Sequence, residues 1–295
     1  MKPLPHPFDD RDGFIWVDGA FVPWRESTVN ILTHGLHYGS AVFEGIRVYD
    51  GKPFKLQEHT ERLFTSAEIL DMTIPFTVEE IFQATLDIVA KQGVINGYIR
   101  PIAWRGSEMM AISAQHTKIH VAIATWETKT YFAPELLETG IKLITSKWAR
   151  PAPNTAPTAS KAAGLYMICT ISKHEAERQG YHDALMLDWR GQIAEATGAN
   201  IFLVQNGALH TPTPDCFLDG ITRRTVMKLA TELGYTVVER AMLPEELSSA
   251  KTQEVFLTGT AAEITPVGSI DRHVYGVGKI TRHLMEEYSK LARGR

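Results

Sequence analysis

A lysine flanked by small residues is the feature of this sequence best suited to covalent chemistry. Lys161 follows the proline-rich run Ala152–Ser160 and precedes Ala162, Ala163 and Gly164. Small neighbours leave room for a bulky group at the lysine nitrogen, and a buried lysine amine is a nucleophile toward carbonyl groups. The plainer interpretation is a solvated lysine at the start of a helix.

Three further motifs could hold a ligand that carries a ring and a phosphate. Glu195 lies among small and apolar residues, where a carboxylate needs a cationic partner such as a protonated ring nitrogen or an arginine. Leu218–Arg223 and Thr258–Glu263 place glycine and threonine at a predicted helix start and a strand end. Such groups can bind phosphate, although the helix start is also typical of an ordinary N-cap. With Lys161, these motifs form the set that pyridoxal 5′-phosphate (PLP) requires.

The elements that must position these residues are a mixture of hairpins and helices. Asp18-Gly19 and Asp50-Gly51 predict tight hairpins, and Thr77 predicts a helix N-cap. In the second half, helices are predicted over Lys161–Gln179 and Thr222–Leu233. Strands in hairpins mixed with helices favour an α+β fold over a doubly wound parallel sheet.

The length of 295 residues predicts about two domains. We expect a small N-terminal α/β domain over residues 1–126, a connector over 127–138 and a large PLP-binding domain over 139–295. The connector mixes charged and aromatic residues with Pro134, and a strong predicted strand, Ile141–Trp148, follows it.

Composition excludes several classes of function. The formal net charge of −4 provides no basic surface for nucleic acid, and the sequence has no apolar run of membrane-spanning length. Neither a metal site nor a disulfide framework is predicted, because the histidine pairs lack an HExxH pattern and the two cysteines form no CxxC. We therefore expect a cytoplasmic enzyme that acts on small molecules without nucleic-acid or membrane partners.

The motifs, in their order along the chain, resemble the class IV (fold-type IV) PLP-dependent aminotransferases, and among them the branched-chain amino acid aminotransferases. The resemblance extends from about Ile15 to Ile270. It implies an N-terminal α/β domain and a C-terminal domain with a barrel-like core, with PLP between them. The matching motifs are His37–Gly39, Val42–Arg47, Glu58–Leu63, Tyr98–Pro101, Ala152–Lys161, Glu195–Asn200, Gly220–Arg223 and Gly259–Pro266.

The resemblance implies roles for the cofactor-binding residues. Lys161 would be the catalytic residue, binding PLP through its amine and moving a proton between substrate and cofactor. Glu195 would pair with the pyridine nitrogen and Tyr166 with the phenolic oxygen, and Asn200 would support these contacts. The phosphate would be held by Arg62, Ile221, Thr222 and Thr260.

The resemblance also implies a substrate site and a reaction. Arg100 would bind the distal carboxylate of glutamate, helped by Tyr38 from a second subunit of a homodimer or larger oligomer. Thr260 and Ala261 would bind the α-carboxylate. The expected reaction converts Leu, Ile or Val and 2-oxoglutarate into branched 2-oxo acids and L-glutamate. The apolar side chain would be enclosed by Phe43, Tyr98, Trp126, Tyr131 and Tyr166.

The sequence departs from the family pattern in two places. Arg105–Ile112 replaces a glycine-rich loop and brings two charges, and Ala199 stands where relatives have a second glutamate. The alternatives among enzymes of this fold are a D-amino acid transaminase, an (R)-amine transaminase or aminodeoxychorismate lyase. The non-enzymatic alternative is a ligand-binding or structural relative on the same fold. No role is assigned to Cys169 or Cys216.

Overall fold

A computed structural model describes residues 7–128 and 133–295, which form two compact units. The first unit contains residues 7–128 together with Ser160–Gly164, and the second contains residues 133–159 and 165–295. Both units mix helices with strands, so the predicted α+β class is confirmed. Within the described ranges, every helix is too short or too polar to cross a lipid bilayer.

The first unit is built on one antiparallel sheet. Its strands in the described residues are β1 (Phe14–Val17), β2 (Ala20–Pro23), β3 (Ala41–Phe43), β4 (Ile46–Tyr49), β5 (Lys52–Pro53), β6 (Gly97–Arg105) and β7 (Ile119–Glu127). They are ordered β2-β1-β7-β6-β4-β5, and β3 also pairs with β6. The predicted hairpins are confirmed, because Asp18 and Asp50 adopt positive φ at the two tight turns.

The helices of the first unit are α1 (His34–Tyr38), α2 (Leu56–Ile69) and α3 (Val78–Gln92). Thr77 caps α3 as predicted, because its hydroxyl accepts from the Glu80 N–H while the Glu80 carboxylate accepts from the Thr77 N–H. Leu63 and Ile88, from α2 and α3, belong to one buried apolar cluster with Ile99 of β6. The sheet and α2 are thereby fixed as a support for side chains on their other faces.

The second unit contains a closed barrel. Its strands are β8 (Ile141–Thr145), β9 (Asp183–Leu187), β10 (Ile193–Ala196), β11 (Asn200–Gln205), β12 (Ala208–Thr211), β13 (Val237–Glu239), β14 (Glu254–Gly259), β15 (Glu263–Ile270) and β16 (His273–Val274). The order β10-β9-β8-β15-β14-β11 closes because β10 also pairs with β11, so the predicted barrel-like core is confirmed. Ile141, Leu185, Ile201 and Leu257 are part of its apolar core.

The helices of the second unit are α4 (Pro134–Thr139), α5 (Tyr166–Arg178), α6 (Ile221–Glu232) and α7 (Lys279–Ala292). The helix predicted over Lys161–Gln179 was wrong at its start, since α5 begins at Tyr166 after a 3₁₀ turn at Ala163–Leu165. Ala162 instead forms an antiparallel bridge with Val42 of β3. Pairing with the sheet of the first unit overrides the local helical preference of this segment.

Candidate active site

The main chain of Lys161 is fixed in the first unit. The Phe43 N–H donates to the Lys161 carbonyl over 3.2 Å, and the Lys161 N–H donates to Ser66 Oγ over 3.0 Å. The lysine Nζ lies 4.9 Å from the centre of the Phe43 ring. Lys161 thus extends from an ordered, strand-like segment rather than from a helix terminus.

Arg62 on α2 forms a buried ion pair with Glu44, which follows β3. Arg62 donates from Nε to Glu44 Oε1 over 2.6 Å and from Nη2 to Oε2 over 2.9 Å. His59, one turn earlier on α2, places Nδ1 2.6 Å from Glu44 Oε2. The bidentate contact holds the Arg62 guanidinium in one plane, because both donors of its fork are matched to the carboxylate.

Burial and charge act against each other at this cluster. Burial raises the pKa of Glu44, but the charge of Arg62 and the hydrogen bonds from His59 and Arg62 lower it to about 2. Burial lowers the pKa of His59, and this outweighs the opposite effect of Glu44. Since Glu44 is anionic and His59 is neutral near pH 7, the His59 Nδ1–H donates to the carboxylate.

One face of β6 carries the candidate substrate residues. Alternation places Tyr98 and Arg100 on the half-buried face, while Ile99 points into the apolar core. Arg100 donates from Nη2 to Tyr98 Oη over 3.4 Å, and its guanidinium carbon lies 4.7 Å from the Phe43 ring centre. Trp126 on β7 lies directly opposite Tyr98, and the two ring centres are 5.4 Å apart.

Arg100 therefore lies over two aromatic rings on this face, those of Phe43 and Tyr98. Its Nε is buried and has no hydrogen-bond partner among the described residues. A buried N–H without a partner is costly, and a carboxylate would satisfy it. Gly45 permits the arrangement, because a Cβ there would lie 1.8 Å from Tyr98 Oη.

In the second unit, Glu195 on β10 is a buried carboxylate beside an arginine and an asparagine. Arg150 Nε lies 3.3 Å from Glu195 Oε1, and Asn200 Nδ2 donates to Oε2 over 3.3 Å. Arg150 also donates from Nη1 to the thiol of Cys169 over 3.3 Å. Arg150 and Asn200 thus lie beside the two carboxylate oxygens of Glu195, which suits a group that binds a ring nitrogen.

At the start of α6, no side chain of the N-cap residue accepts a hydrogen bond from the first N–H groups of the helix. Gly220 is the N-cap residue, and a Cβ there would lie 2.2 Å from Asn200 Oδ1. The Asn200 amide also donates to the Leu218 carbonyl over 3.0 Å, which fixes the approach to the helix. The N–H groups of Ile221 and Thr222 thus begin a twelve-residue helix whose positive end is suited to an anion.

Comparison with known proteins identifies the family to which this site belongs. The profile described as "Amino-transferase class IV" matches residues 41–270. The chain belongs to the class IV aminotransferases. It is 42% identical to the branched-chain-amino-acid aminotransferase of Pseudomonas aeruginosa, a match that covers 97% of this chain and 95% of that protein.

Solved structures support the same placement. The branched-chain amino acid aminotransferase of T.th., solved with pyridoxamine 5′-phosphate, has a TM-score of 0.92 and 39% identity, covering 97% of this chain and 95% of the other. The same protein in complex with N-(5′-phosphopyridoxyl)-L-glutamate has a TM-score of 0.91 and 38% identity at the same coverage. The predicted resemblance to branched-chain aminotransferases is confirmed, and the predicted cofactor of this aminotransferase, PLP, is confirmed with it.

Residues of the second unit fit such a cofactor. The uncapped start of α6 suits a phosphate, and Glu195 suits a protonated ring nitrogen. Thr258 Oγ1, at the end of β14, is buried and has no hydrogen-bond partner among the described residues, so a bound polar group could satisfy it. Thr260 and Ala261 lie in the half-buried turn that follows β14.

The remaining predicted residues are distributed as follows. Tyr166 is the first residue of α5. Burial lowers the pKa of the neighbouring Arg150, but the charge of Glu195 acts against it, and the pKa is raised overall. Tyr38 ends α1, is 48% exposed and stacks on His34. Tyr131 lies outside the described residues.

The two departures from the family pattern have structural explanations. The charge of Arg105 is directed inward, because its guanidinium donates to the carbonyls of Leu70, Asp71 and Ala114. It therefore ties the 106–114 loop to the end of α2. Ala199 is buried, and it leaves Glu195 as the only carboxylate paired with Arg150 in the described part of the chain.

Sequence reasoning assigned no role to Glu44, His59, Ser66 or Arg150, although Glu44 and His59 lay within the quoted motifs. Glu44 gave one usable signal, since an acid between the apolar strands β3 and β4 requires a buried cation.

Cys169 and Cys216 are both free and buried, and burial raises the pKa of their thiols to about 11 and about 12. Both thiols are therefore protonated and unreactive at neutral pH.

Proposed function

We propose that this aminotransferase moves the amino group of L-leucine, L-isoleucine or L-valine to 2-oxoglutarate. The products are a branched 2-oxo acid and L-glutamate. The observation that carries the assignment is Arg100 over the rings of Phe43 and Tyr98, with Trp126 packed against Tyr98. Aromatic faces suit a branched side chain, and the guanidinium suits the distal carboxylate of the second substrate.

The cofactor is proposed to bind through the residues that the family resemblance implies. In the second unit, Glu195 would hold the pyridine nitrogen, Tyr166 the phenolic oxygen, and Asn200 would orient Glu195. The phosphate-binding residues would be Arg62, Ile221, Thr222 and Thr260. When bound, PLP withdraws electrons from the substrate Cα and so makes its proton acidic.

Lys161 is proposed to carry out the proton transfer. Its amine would take the proton from the substrate Cα and return it to the cofactor C4′, because one flexible side chain can reach both atoms. Thr260 and the Ala261 N–H would bind the substrate α-carboxylate and so orient the Cα–H bond. Phe43 would exclude water near the lysine amine, since its ring lies beside Nζ.

We further propose that the enzyme is a homodimer or a larger oligomer that completes its site with Tyr38 of a second subunit. The support is an apolar surface in the first unit, where the exposed side chains are Val29, Ile31, Leu32, Leu36 and Ile112. The Ala111 carbonyl lies 2.9 Å from His34 Nε2, which joins the two segments that form this surface. Exposed apolar surface of this kind is typical of protein interfaces.

Leu36→Glu should therefore shift the enzyme toward monomers in light scattering and reduce activity at low protein concentration. Leu291→Glu, which alters an exposed leucine on the last helix, serves as the matched control. An unchanged mass for Leu36→Glu would remove the support for this interface.

A cytoplasmic location is also part of the proposal, and the two free thiols are consistent with a reducing compartment.

A substrate panel tests the proposed reaction. L-Leucine, L-isoleucine, L-valine, D-alanine and (R)-phenylethylamine are each assayed with 2-oxoglutarate as acceptor. We expect turnover with the three L-amino acids, and turnover with only the last two donors would overturn the assignment. Arg100→Met should raise KM for 2-oxoglutarate by about tenfold or more and leave KM for L-leucine nearly unchanged.

The role of Lys161 is tested by its chemistry with the cofactor. Borohydride reduction should fix the cofactor to Lys161 in the wild type, as peptide mapping would show, and Lys161→Ala should not be labelled. Lys173→Ala, which alters a lysine on α5, is the control and should be labelled like the wild type. Labelling of another lysine in the Lys161→Ala variant would contradict the proposal.

A further inference from the structure

The segment that carries Lys161 is held to α2 by hydrogen bonds to a buried serine of that helix, Ser66. Ser66 Oγ accepts from the Lys161 N–H over 3.0 Å, and the Ser66 carbonyl accepts from Ser160 Oγ over 2.9 Å. Ser66 is 1% exposed and Ser160 is 3% exposed. Both contacts join residues that are more than ninety positions apart in sequence, so they fix the segment within the fold of the first unit.

Helical spacing places Ser66 on the same face of α2 as Arg62 and His59. These residues are four and seven positions before it, so their side chains lie one above the other. Arg62 and His59 are fixed by Glu44 through hydrogen bonds of 2.6–2.9 Å. One face of one helix therefore holds both the guanidinium predicted to bind phosphate and the main chain of the lysine.

The lysine segment is also anchored to β3 through main-chain contacts. Phe43 donates its N–H to the Lys161 carbonyl, and Ala162 bridges Val42. Main-chain contacts to β3 fix the position of the segment relative to the sheet. The Ser66 hydroxyl fixes the distance between the Lys161 main chain and α2. At Lys161 itself this distance is set by the Ser66 hydroxyl, and alanine, although it forms helices better, offers no acceptor to the Lys161 N–H.

We propose that Ser66 is a positioning residue that directs the Lys161 amine toward its reaction partners by fixing the Lys161 main chain. The inference rests on the proposed role of Lys161 as the proton-transferring amine. Ser66 touches neither substrate nor cofactor in this account and acts only through the Lys161 N–H. Small displacements of a reacting group reduce rates strongly, so one hydrogen bond at this point has a large effect.

Ser66→Ala tests the proposal, with Thr65→Ala as the matched control. Thr65 is the adjacent hydroxyl residue on the exposed side of α2, where it donates to the Glu61 carbonyl. We expect kcat with L-leucine to fall by about tenfold or more in Ser66→Ala, while KM changes by less than about threefold. Thr65→Ala should retain the wild-type values.

Two readouts distinguish positioning from a general loss of structure. The kinetic isotope effect with Cα-deuterated L-leucine should rise in Ser66→Ala, because proton transfer by a misplaced amine limits the rate. The pH at which the visible absorbance of the Lys161-bound cofactor changes should also shift from the wild-type value. A lower melting temperature with an unchanged isotope effect and an unchanged absorbance titration would show that Ser66 is only structural.

The outcome is separable from a failure of the proposed function. If borohydride labels Lys161 in both the wild type and Ser66→Ala, the proposed amine is correct and the isotope effect decides the role of Ser66. If another lysine is labelled in the wild type, the proposed function fails, and the proposal for Ser66 fails with it. Ser160→Ala provides an independent check, with an expected decrease in kcat that is smaller than that of Ser66→Ala because the Lys161 N–H keeps its acceptor.

Discussion

Each unit of this aminotransferase contains a buried glutamate beside an arginine, and the two pairs are built differently. Glu44 is 0% exposed and receives three hydrogen bonds of 2.6–2.9 Å from Arg62 and His59. Glu195 is also buried, but Arg150 and Asn200 approach it only to 3.3 Å. The first carboxylate has short contacts to Arg62 and His59, whereas the contacts of the second to Arg150 and Asn200 are longer.

The difference separates a structural carboxylate from one that can bind a ligand. Three short hydrogen bonds offset the desolvation of Glu44, and they leave it little capacity for a further partner. At Glu195 the contacts to Arg150 and Asn200 are longer, and a protonated ring nitrogen would add a charge-assisted partner. Burial alone does not distinguish the two residues, because both are more than nine-tenths buried.

The largest expected effect is a loss of stability in Glu44→Gln. The substitution leaves the Arg62 charge buried without its carboxylate, so the free energy of unfolding should fall by about 3–5 kcal/mol. Urea denaturation of the cofactor-free enzyme measures it. Glu286→Gln, which breaks an exposed pair with Lys290 on α7, should leave the denaturation midpoint unchanged. A fall at Glu44 no larger than in this control would remove the distinction between the two carboxylates.

The free energy of unfolding should depend on pH through Glu44 and its neighbour His59. The folded pKa of Glu44, about 2, lies below its usual value of 4.5, so its contribution is complete above pH 4.5 and is lost as pH falls toward 2. For one group this amounts to about 3 kcal/mol. The lowered pKa of His59 has the same sign, because acidification below its usual pKa of 6.5 favours the unfolded state.

Stability measured from pH 7 to pH 3 resolves these contributions. Glu44→Gln should flatten the lower part of the curve, and His59→Gln should flatten the part just below pH 6.5. Curves for both variants that parallel the wild type would mean that other groups determine acid unfolding. Glu246, whose pKa is also about 2 because of its hydrogen bond from Arg240, is the comparison in the second unit.

How much of this contrast could be predicted from sequence follows from the range of the interactions. Glu195 and Lys161 could be proposed as site residues because their local neighbours are small or apolar, which is a property of adjacent residues. Hairpins at Asp18 and Asp50 and the cap at Thr77 were correct for the same reason, since turn and cap chemistry is local. The closed barrel was implied by resemblance and not by periodicity.

Long-range contacts were the part that sequence could not supply. The start of α5 was misplaced because Ala162 pairs with Val42, which is 120 residues earlier in the chain. Ser66 and Arg150 were not identified for the same reason, since each acts on a residue that is more than forty positions away. Arg105 was expected to bring charge to the loop, but the carbonyls at the end of α2 that receive it are more than thirty positions distant.

The next effect in size is on catalysis, in Glu195→Gln. Without the anion, the ring nitrogen of the cofactor is less readily protonated, so kcat should fall by about 100-fold. The loss of unfolding free energy should be smaller than in Glu44→Gln, because Arg150 is less tightly engaged. Stopped-flow half-reactions with L-leucine measure the first quantity and urea denaturation the second. Near-normal turnover in Glu195→Gln would place the functional carboxylate elsewhere.

The smallest effect, and the sharpest test of the contrast, is expected for Arg150→Met. In the cofactor-free enzyme this substitution removes the cation beside Glu195, but in the holoenzyme the protonated ring nitrogen would take its place. Turnover should therefore change by less than about threefold, while cofactor binding stabilises the variant by about 1 kcal/mol more than the wild type. Denaturation with and without PLP measures the difference, with Cys169→Ala as the control for the contact on the other side of Arg150. Equal losses in both forms would show that Arg150, and not the cofactor, is the lasting partner of Glu195, and that the two carboxylates are alike after all.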